Sequence, residues 1–265
     1  MAFIKGDGGL AMSDIIDARG LAKAFGGNTV LDGVDLSASA GEAIAVVGAN
    51  GAGKTTLMKI LVGLLEADAG SVKLMGDDLV ELTRRQIARR VAVVPQGSPQ
   101  VFGFELLEFV LMGCYARSES FLPTGAQVEQ AQAALEELGL ARLAARPVSA
   151  LSGGEMQRAL MARAIVADVP LWFLDEPTAS LDMSHQIALL EKVRRHVDKG
   201  GTVLAILHDL ALVHRFFDVV VVLFDGQILA HGPPDEVLEP ALVSNLYGLP
   251  MQRGEVDGKI VWIAK

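Results

Sequence analysis

The sequence predicts an α/β fold built around a mostly parallel sheet. Short runs rich in Val, Ile and Leu, at 43–47, 91–94, 171–174, 202–207 and 219–224, alternate with longer helix-like stretches at 53–61, 128–137, 155–166 and 185–197. The short runs are apolar at successive positions, as strands are when a sheet is covered on both faces. The third observation is local. The run 43–47 feeds into a glycine-rich segment that opens onto a helical pattern, the punctuation of a β–loop–α unit.

The remaining elements are added around this frame. Residues 15–18 and 34–38 read as antiparallel strands separated by a turn at 26–28, giving an N-terminal β subdomain. Residues of about 97–150 read as almost wholly helical, with breaks at Pro123-Thr124-Gly125 and at Pro147, and are expected to be an inserted helical subdomain. From about 226 to 265 the chain reads as a short extension with strands at 227–230 and 259–263 flanking weak helices. Residues 1–13 read as a flexible tail, so 14–265 is expected to form one domain. Neither an internal repeat nor a heptad run is visible.

Composition excludes several classes. The 265 residues are 51% hydrophobic and only 21% charged, and mean hydropathy is +0.38. Disorder is incompatible with that balance. A single cysteine, Cys114, excludes a disulfide scaffold and is read as a packing residue. With 23 basic and 32 acidic residues the net charge is −9, which disfavours nucleic acid as a partner. The apolar bias does not come from a membrane span: the run 219–224 is closed by Asp218 and Asp225, and 43–47 runs into glycines. The first residues lack the apolar core of a signal peptide, so the chain is expected to be soluble and cytoplasmic.

Gly48-Ala49-Asn50-Gly51-Ala52-Gly53-Lys54-Thr55 fits the phosphate-loop pattern G-x-x-x-x-G-K-[ST]. Ordinary residue frequencies produce it by chance in about one chain in a hundred of this length. Glycines let consecutive N–H groups point inward as an anion nest. The helix beginning there presents its positive end to phosphate. Lys54 supplies a point charge, and the Thr55 hydroxyl can ligate Mg2+. Asp175 and Glu176 end an apolar strand, the edge of an α/β sheet where ligands bind. Asp175 is placed to hold Mg2+, and Glu176 to orient or deprotonate a water attacking phosphate. Ser152-Gly153-Gly154 at a helix start forms a second anion-binding pattern. One nucleotide does not need two such patterns, whereas a head-to-tail pair of chains does. Of the five histidines, only His208 sits just past a buried strand on the sheet's active edge.

With these residues the sequence resembles the ATP-binding-cassette (ABC) ATPase family from about 15 to 238. Leu151-Ser152-Gly153-Gly154-Glu155 is similar to the family signature. Gln96 matches the Q-loop glutamine, Ser180-Leu181-Asp182 the D-loop, His208 the switch histidine, and Phe25 the aromatic position that stacks on adenine, where tyrosine is common. The resemblance implies the P-loop NTPase ABC-ATPase fold and the cofactors ATP and Mg2+. It implies nucleotide contacts from Phe25, Gly48, Asn50, Gly51, Ala52, Gly53, Lys54, Thr55, Thr56, Ser152, Gly153, Gly154 and Asp182. Metal contacts are implied for Thr55, Gln96 and Asp175, and catalytic roles for Glu176, His208, Gln96 and Lys54.

The resemblance also implies a homodimer that drives polytopic membrane permease subunits from the cytoplasmic face of the inner membrane, and an extracytoplasmic substrate-binding protein. A docking patch is expected over 97–115, with Pro99, Val101, Phe102, Phe104, Leu106, Leu107 and Phe109. The runs Leu181-Asp182-Met183-Ser184-His185-Gln186, Leu207-His208-Asp209-Leu210 and 111–117 look like importers of ferric siderophores, haem and cobalamin, with zinc and manganese importers next. Soluble non-transport relatives with two cassettes or long coiled coils, and kinases lacking the signature run, fit less well.

Overall fold

The computed structural model describes residues 14–97, 103–118 and 122–265. The expected tail at 1–13 lies outside them. Strand β1 (Asp14–Phe25) turns back through Gly26 and Gly27, both left-handed, into β2 (Asn28–Ser39). β3 (Ala43–Val47) leads to helix α1 (Lys54–Leu61), followed by β4 (Ala69–Leu74), β5 (Asp77–Asp78), α2 (Arg84–Ala88) and β6 (Val91–Val94). Helices α3 (Leu106–Leu111), α4 (Gly125–Glu137) and α5 (Gly153–Ala167) come next. The chain then alternates through β7 (Leu171–Asp175), α6 (Met183–Asp198), β8 (Thr202–Ile206), α7 (Leu210–Phe216) and β9 (Val219–Phe224). It ends with β10 (Gln227–Gly232), α8 (Pro234–Val237), α9 (Pro240–Tyr247) and the hairpin β11 (Met251–Val256) and β12 (Lys259–Ala264).

The main sheet has the order β10-β9-β3-β8-β7-β6. Its pairs are parallel except β9 with β10. Every residue of β3, β7 and β8 is buried, as the apolar runs predict. Alternate residues serve different layers. Ala45, Val47, Trp172, Leu174 and Ala205 face a core shared with α5, α6 and the helical region. Ile44, Val46, Phe173, Leu204 and Ile206 face a core shared with α1 and the antiparallel sheet β2-β1-β4-β5.

Several elements exceed or differ from the sequence expectation. The N-terminal strands run to 12 residues each, and β4 joins them as a third strand. Only Val72 and Leu74 of β4 are buried, so its apolar signal is too short to read. The strand expected at 227–230 belongs to the main sheet as its antiparallel edge, while 259–263 pairs with β11, a strand whose sequence shows little apolar alternation. Helix α7 spans only seven residues and fell between two strands.

The expected docking patch needs correction. Leu106 and Phe109 are fully buried and pack with Leu135, Leu160 and Val148, so they form the core of the helical region. Phe104 is 41% exposed, and Pro99, Val101 and Phe102 lie outside the described residues. Cys114 is buried, and burial pushes its thiol pKa up, in keeping with a packing role.

The helical region meets α5 closely at one glycine. A Cβ on Gly113 would fall 2.4 Å from the Arg163 carbonyl oxygen. Gly113→Ala is therefore expected to destabilise the fold by about 1–3 kcal/mol, as overpacking does. A lowered thermal unfolding midpoint is the readout, and an unchanged midpoint would show that this contact is not close.

Candidate nucleotide site

The loop after β3 has little freedom. A Cβ on Gly48 would fall 2.2 Å from the Leu223 carbonyl oxygen in neighbouring β9, so only glycine fits. Gly53 has φ +100° and lies against Val30, where a Cβ would meet the carbonyl oxygen at 2.7 Å. α1 begins immediately after it, without a side-chain cap. Its first N–H groups therefore face the loop, a setting that favours an anion. Lys54 is only 7% exposed, and its ammonium donates to the carbonyls of Gly48 (2.8 Å) and Ala49 (2.9 Å). Burial lowers its pKa, opposed by the nearby Glu176 and Asp175 carboxylates. Two of its three protons are used by the loop, and the third is free for a ligand.

The strand order brings three other loops to this one. Because β6, β7 and β8 are adjacent and parallel, Gln96, Asp175-Glu176 and His208 emerge at one edge. Asp175 is 4% exposed; burial raises its pKa, partly offset by the Thr55 hydroxyl donating to Oδ1 at 3.4 Å. Glu176 follows in a left-handed conformation, φ +49°, costly for a residue with a side chain. That turn aims its carboxylate between two partners. Oε2 accepts from the Gln96 amide at 2.7 Å, and Oε1 lies 2.8 Å from His208 Nε2. Asn50, Gly51, Gly53, Lys54, Thr55, Gln96, Glu176 and His208 together line one cavity of about 490 Å³.

Two residues outside the expected site support this arrangement. Asp209 caps α7 by accepting from the N–H groups of Ala211 and Leu212, which fixes the chain just after His208. The Tyr247 hydroxyl donates to the His208 carbonyl at 3.3 Å, from the end of α9. A capping aspartate could have been suspected from its place before a helix; the long-range Tyr247 contact could not.

The remaining candidates do not line the cavity. Ala52 is buried and Thr56 half-buried on α1. Ser152 caps α5: its hydroxyl accepts from the Glu155 N–H at 3.3 Å, while Glu155 accepts from the Ser152 N–H at 2.7 Å. Ser152 and Gly153 are exposed, and a Cβ on Gly154 would meet the Ser180 carbonyl oxygen at 3.1 Å. Asp182 caps α6. Hydrogen bonds from the His185 N–H, the Ser184 hydroxyl and the His185 ring hold its carboxyl far below the usual range. The Ser152 end of α5 and the 180–182 loop are thus neighbours on a second surface. Phe25 stands 47% exposed at the β1–β2 turn with the Lys23 ammonium 5.5 Å from its ring.

Residues 31–179 match the ABC transporter family. The hemin import ATP-binding protein HmuV of Bradyrhizobium diazoefficiens is 42% identical over 255 residues, covering 93% of each chain. The cobalamin import ATP-binding protein BtuD of Halobacterium salinarum is 42% identical over 226 residues, 85% of this chain and 56% of the relative. A solved metal-chelate type ABC transporter in an inward-facing conformation superposes with a TM-score of 0.80 at 25% identity, covering 96% of this chain and 98% of that one. The phosphate loop, the Glu176 bridge and these matches lead to one conclusion: the chain belongs to the ABC transporter family.

Proposed function

We propose that this chain binds and hydrolyses ATP as one half of a homodimer that powers import, through membrane permease subunits, of haem, cobalamin or a related iron chelate. The observation that carries the reading is the Glu176 carboxylate, held between Gln96 and His208 at the mouth of the Lys54 loop. Relatives named for hemin and cobalamin import and a metal-chelate transporter of the same fold support the cargo class.

In this reading the loop N–H groups and Lys54 hold the β- and γ-phosphates. Phe25 offers its exposed face to adenine, and Thr56 and Asn50 complete the loop's polar contacts. Glu176 accepts a proton from the attacking water as its oxygen bonds to phosphorus and the bond to ADP breaks. His208 and Gln96 keep that carboxylate aimed and report the γ-phosphate's departure. A hard divalent cation suits the donors present: the Thr55 hydroxyl, the buried Asp175 carboxylate and the Gln96 amide oxygen are all oxygen ligands. Mg2+ there would neutralise charge building on the phosphates.

Ser152, Gly153, Gly154 and Asp182 form an exposed surface apart from the cavity of their own chain, which suits them to the nucleotide of a second copy. The permease is expected in the groove of about 520 Å³ between α2, β6, residues 112–116 and α5. Among the described residues no helix is long and apolar enough to cross a membrane, so attachment to the cytoplasmic face would run through that partner. An extracytoplasmic binding protein would deliver the cargo. In this account 14–265 works as one domain, with 97–150 as the helical subdomain and 226–265 as the extension that reaches His208 through Tyr247.

Two outcomes test the scheme. Glu176→Gln should bind ATP as well as the wild type while phosphate release falls by about 10²–10⁴-fold; hydrolysis at the wild-type rate would remove Glu176 from the proton transfer. Ser152→Arg and Lys54→Ala should each be inactive alone, and mixing them should recover part of the activity by forming one intact composite site. If either variant alone keeps full activity, the shared-site arrangement is wrong.

A further inference from the structure

His208 stands where a strand ends and a helix begins. The Leu207 N–H donates to the Val46 carbonyl at 3.2 Å, which ties the chain to β3 just before it. Asp209 caps α7 just after it, and the first helical bond runs from the Val213 N–H to the Asp209 carbonyl. The His208 carbonyl lies between these ties and belongs to neither. Among the described residues the Tyr247 hydroxyl, at 3.3 Å, is its one hydrogen-bond donor. The planar peptide that leaves His208 therefore has a single side-chain tether.

Tyr247 is itself fixed by the far end of the chain. It is the last residue of α9, whose Val243 and Leu246 share a core with Leu207, Leu210 and Val213. Gly248, at φ +69°, stops the helix. The Ser244 hydroxyl accepts from the Met251 N–H at 2.9 Å, tying α9 to β11. The hairpin then closes on α7. Trp262 of β12 stacks against His214 with ring centroids 6.1 Å apart, and the His214 side chain is only 5% exposed. His214 Nδ1 lies 3.4 Å from the Asp235 carboxylate, which also pairs with Arg253 of β11. The extension thus grips both the His208 carbonyl and the helix that follows it. Burial, then the Asp209 carboxylate, raises the Tyr247 pKa, so the phenol keeps its proton and remains a donor.

We propose that Tyr247 is a positioning residue for ATP hydrolysis: its hydroxyl fixes the His208 backbone and so keeps the His208 ring 2.8 Å from Glu176. This rests on the reading that Glu176 and His208 act in hydrolysis. The His208 side chain is 40% exposed at the cavity, so packing alone leaves its ring free to turn, and the backbone has to set its direction. Tyr247 lines no part of the cavity. Its loss should therefore slow turnover without weakening nucleotide binding. On this inference the extension from 226 to 265 sets the rate of a site that it does not touch.

The experiment is steady-state phosphate release by the full chain with ATP and Mg2+. Tyr247→Phe keeps the ring and its apolar contacts and removes only the donor. It should lower kcat by about 3–10-fold, the worth of one hydrogen bond, and leave KM for ATP within about 2-fold. Tyr247→p-aminophenylalanine, which puts an N–H donor back at the same ring position, should recover most of the rate. A purely packing role would not distinguish these two rings. Glu176→Gln is the reference in the same assay. If it hydrolyses at the wild-type rate, the reading beneath the proposal fails and the proposal falls with it. If Glu176→Gln is slow but Tyr247→Phe keeps the wild-type kcat, the positioning role alone is overturned. A fall in kcat that p-aminophenylalanine does not restore would overturn it too, as would a loss carried by KM with kcat unchanged.

Discussion

Parallel pairing of β7 with β6 on one side and β8 on the other sets the distances on which the site depends. Leu174 is in register with Val94 and with Ala205, so the three strands end together. Each chain then has only one or two residues to place a polar group at the edge. β6 reaches Gln96, β7 reaches Glu176 and β8 reaches His208. β3 lies next to β8, which brings the phosphate loop alongside. The left-handed turn at Glu176 is the strained step that converts this alignment into a bridge of 2.7 and 2.8 Å. A rigid, doubly covered sheet can support such strain; a surface loop could not.

The charge distribution follows from the same architecture. Lys54 is a buried cation whose ammonium rests on backbone carbonyls, with the Glu176 and Asp175 carboxylates near it. It lines the cavity and makes sense as the place where an anion arrives from another molecule. Burial of this cation is a form of preorganisation: desolvation is met on folding, before the ligand binds.

Much of this was legible in the sequence because strong local constraints leave local marks. Strands buried on both faces read as unbroken apolar runs, and β3, β6 and β9 start and stop where those runs do. The phosphate loop is legible because Gly48 and Gly53 answer to sub-3 Å backbone contacts that no other residue tolerates. What failed to show depends on partners distant in sequence. β4 carries only two buried residues and is a strand because β1 is there to pair with it. Leu106 and Phe109 look like an exposed patch until α4 and α5 cover them. Tyr247 meets His208 across 39 positions, with no spacing or motif to announce it. The Ser152 surface is a third kind of case: its cap is satisfied within one chain, and only its residue types suggest a further task.

The account turns on a nucleotide site completed by two chains. Sedimentation of the Glu176→Gln chain at saturating ATP and Mg2+ tests this most directly. The account predicts a species of twice the single-chain mass with ATP and a single chain without it. It predicts a single chain in both conditions when Ser152→Arg is added. A single-chain mass at saturating ATP, with nucleotide bound, would contradict it.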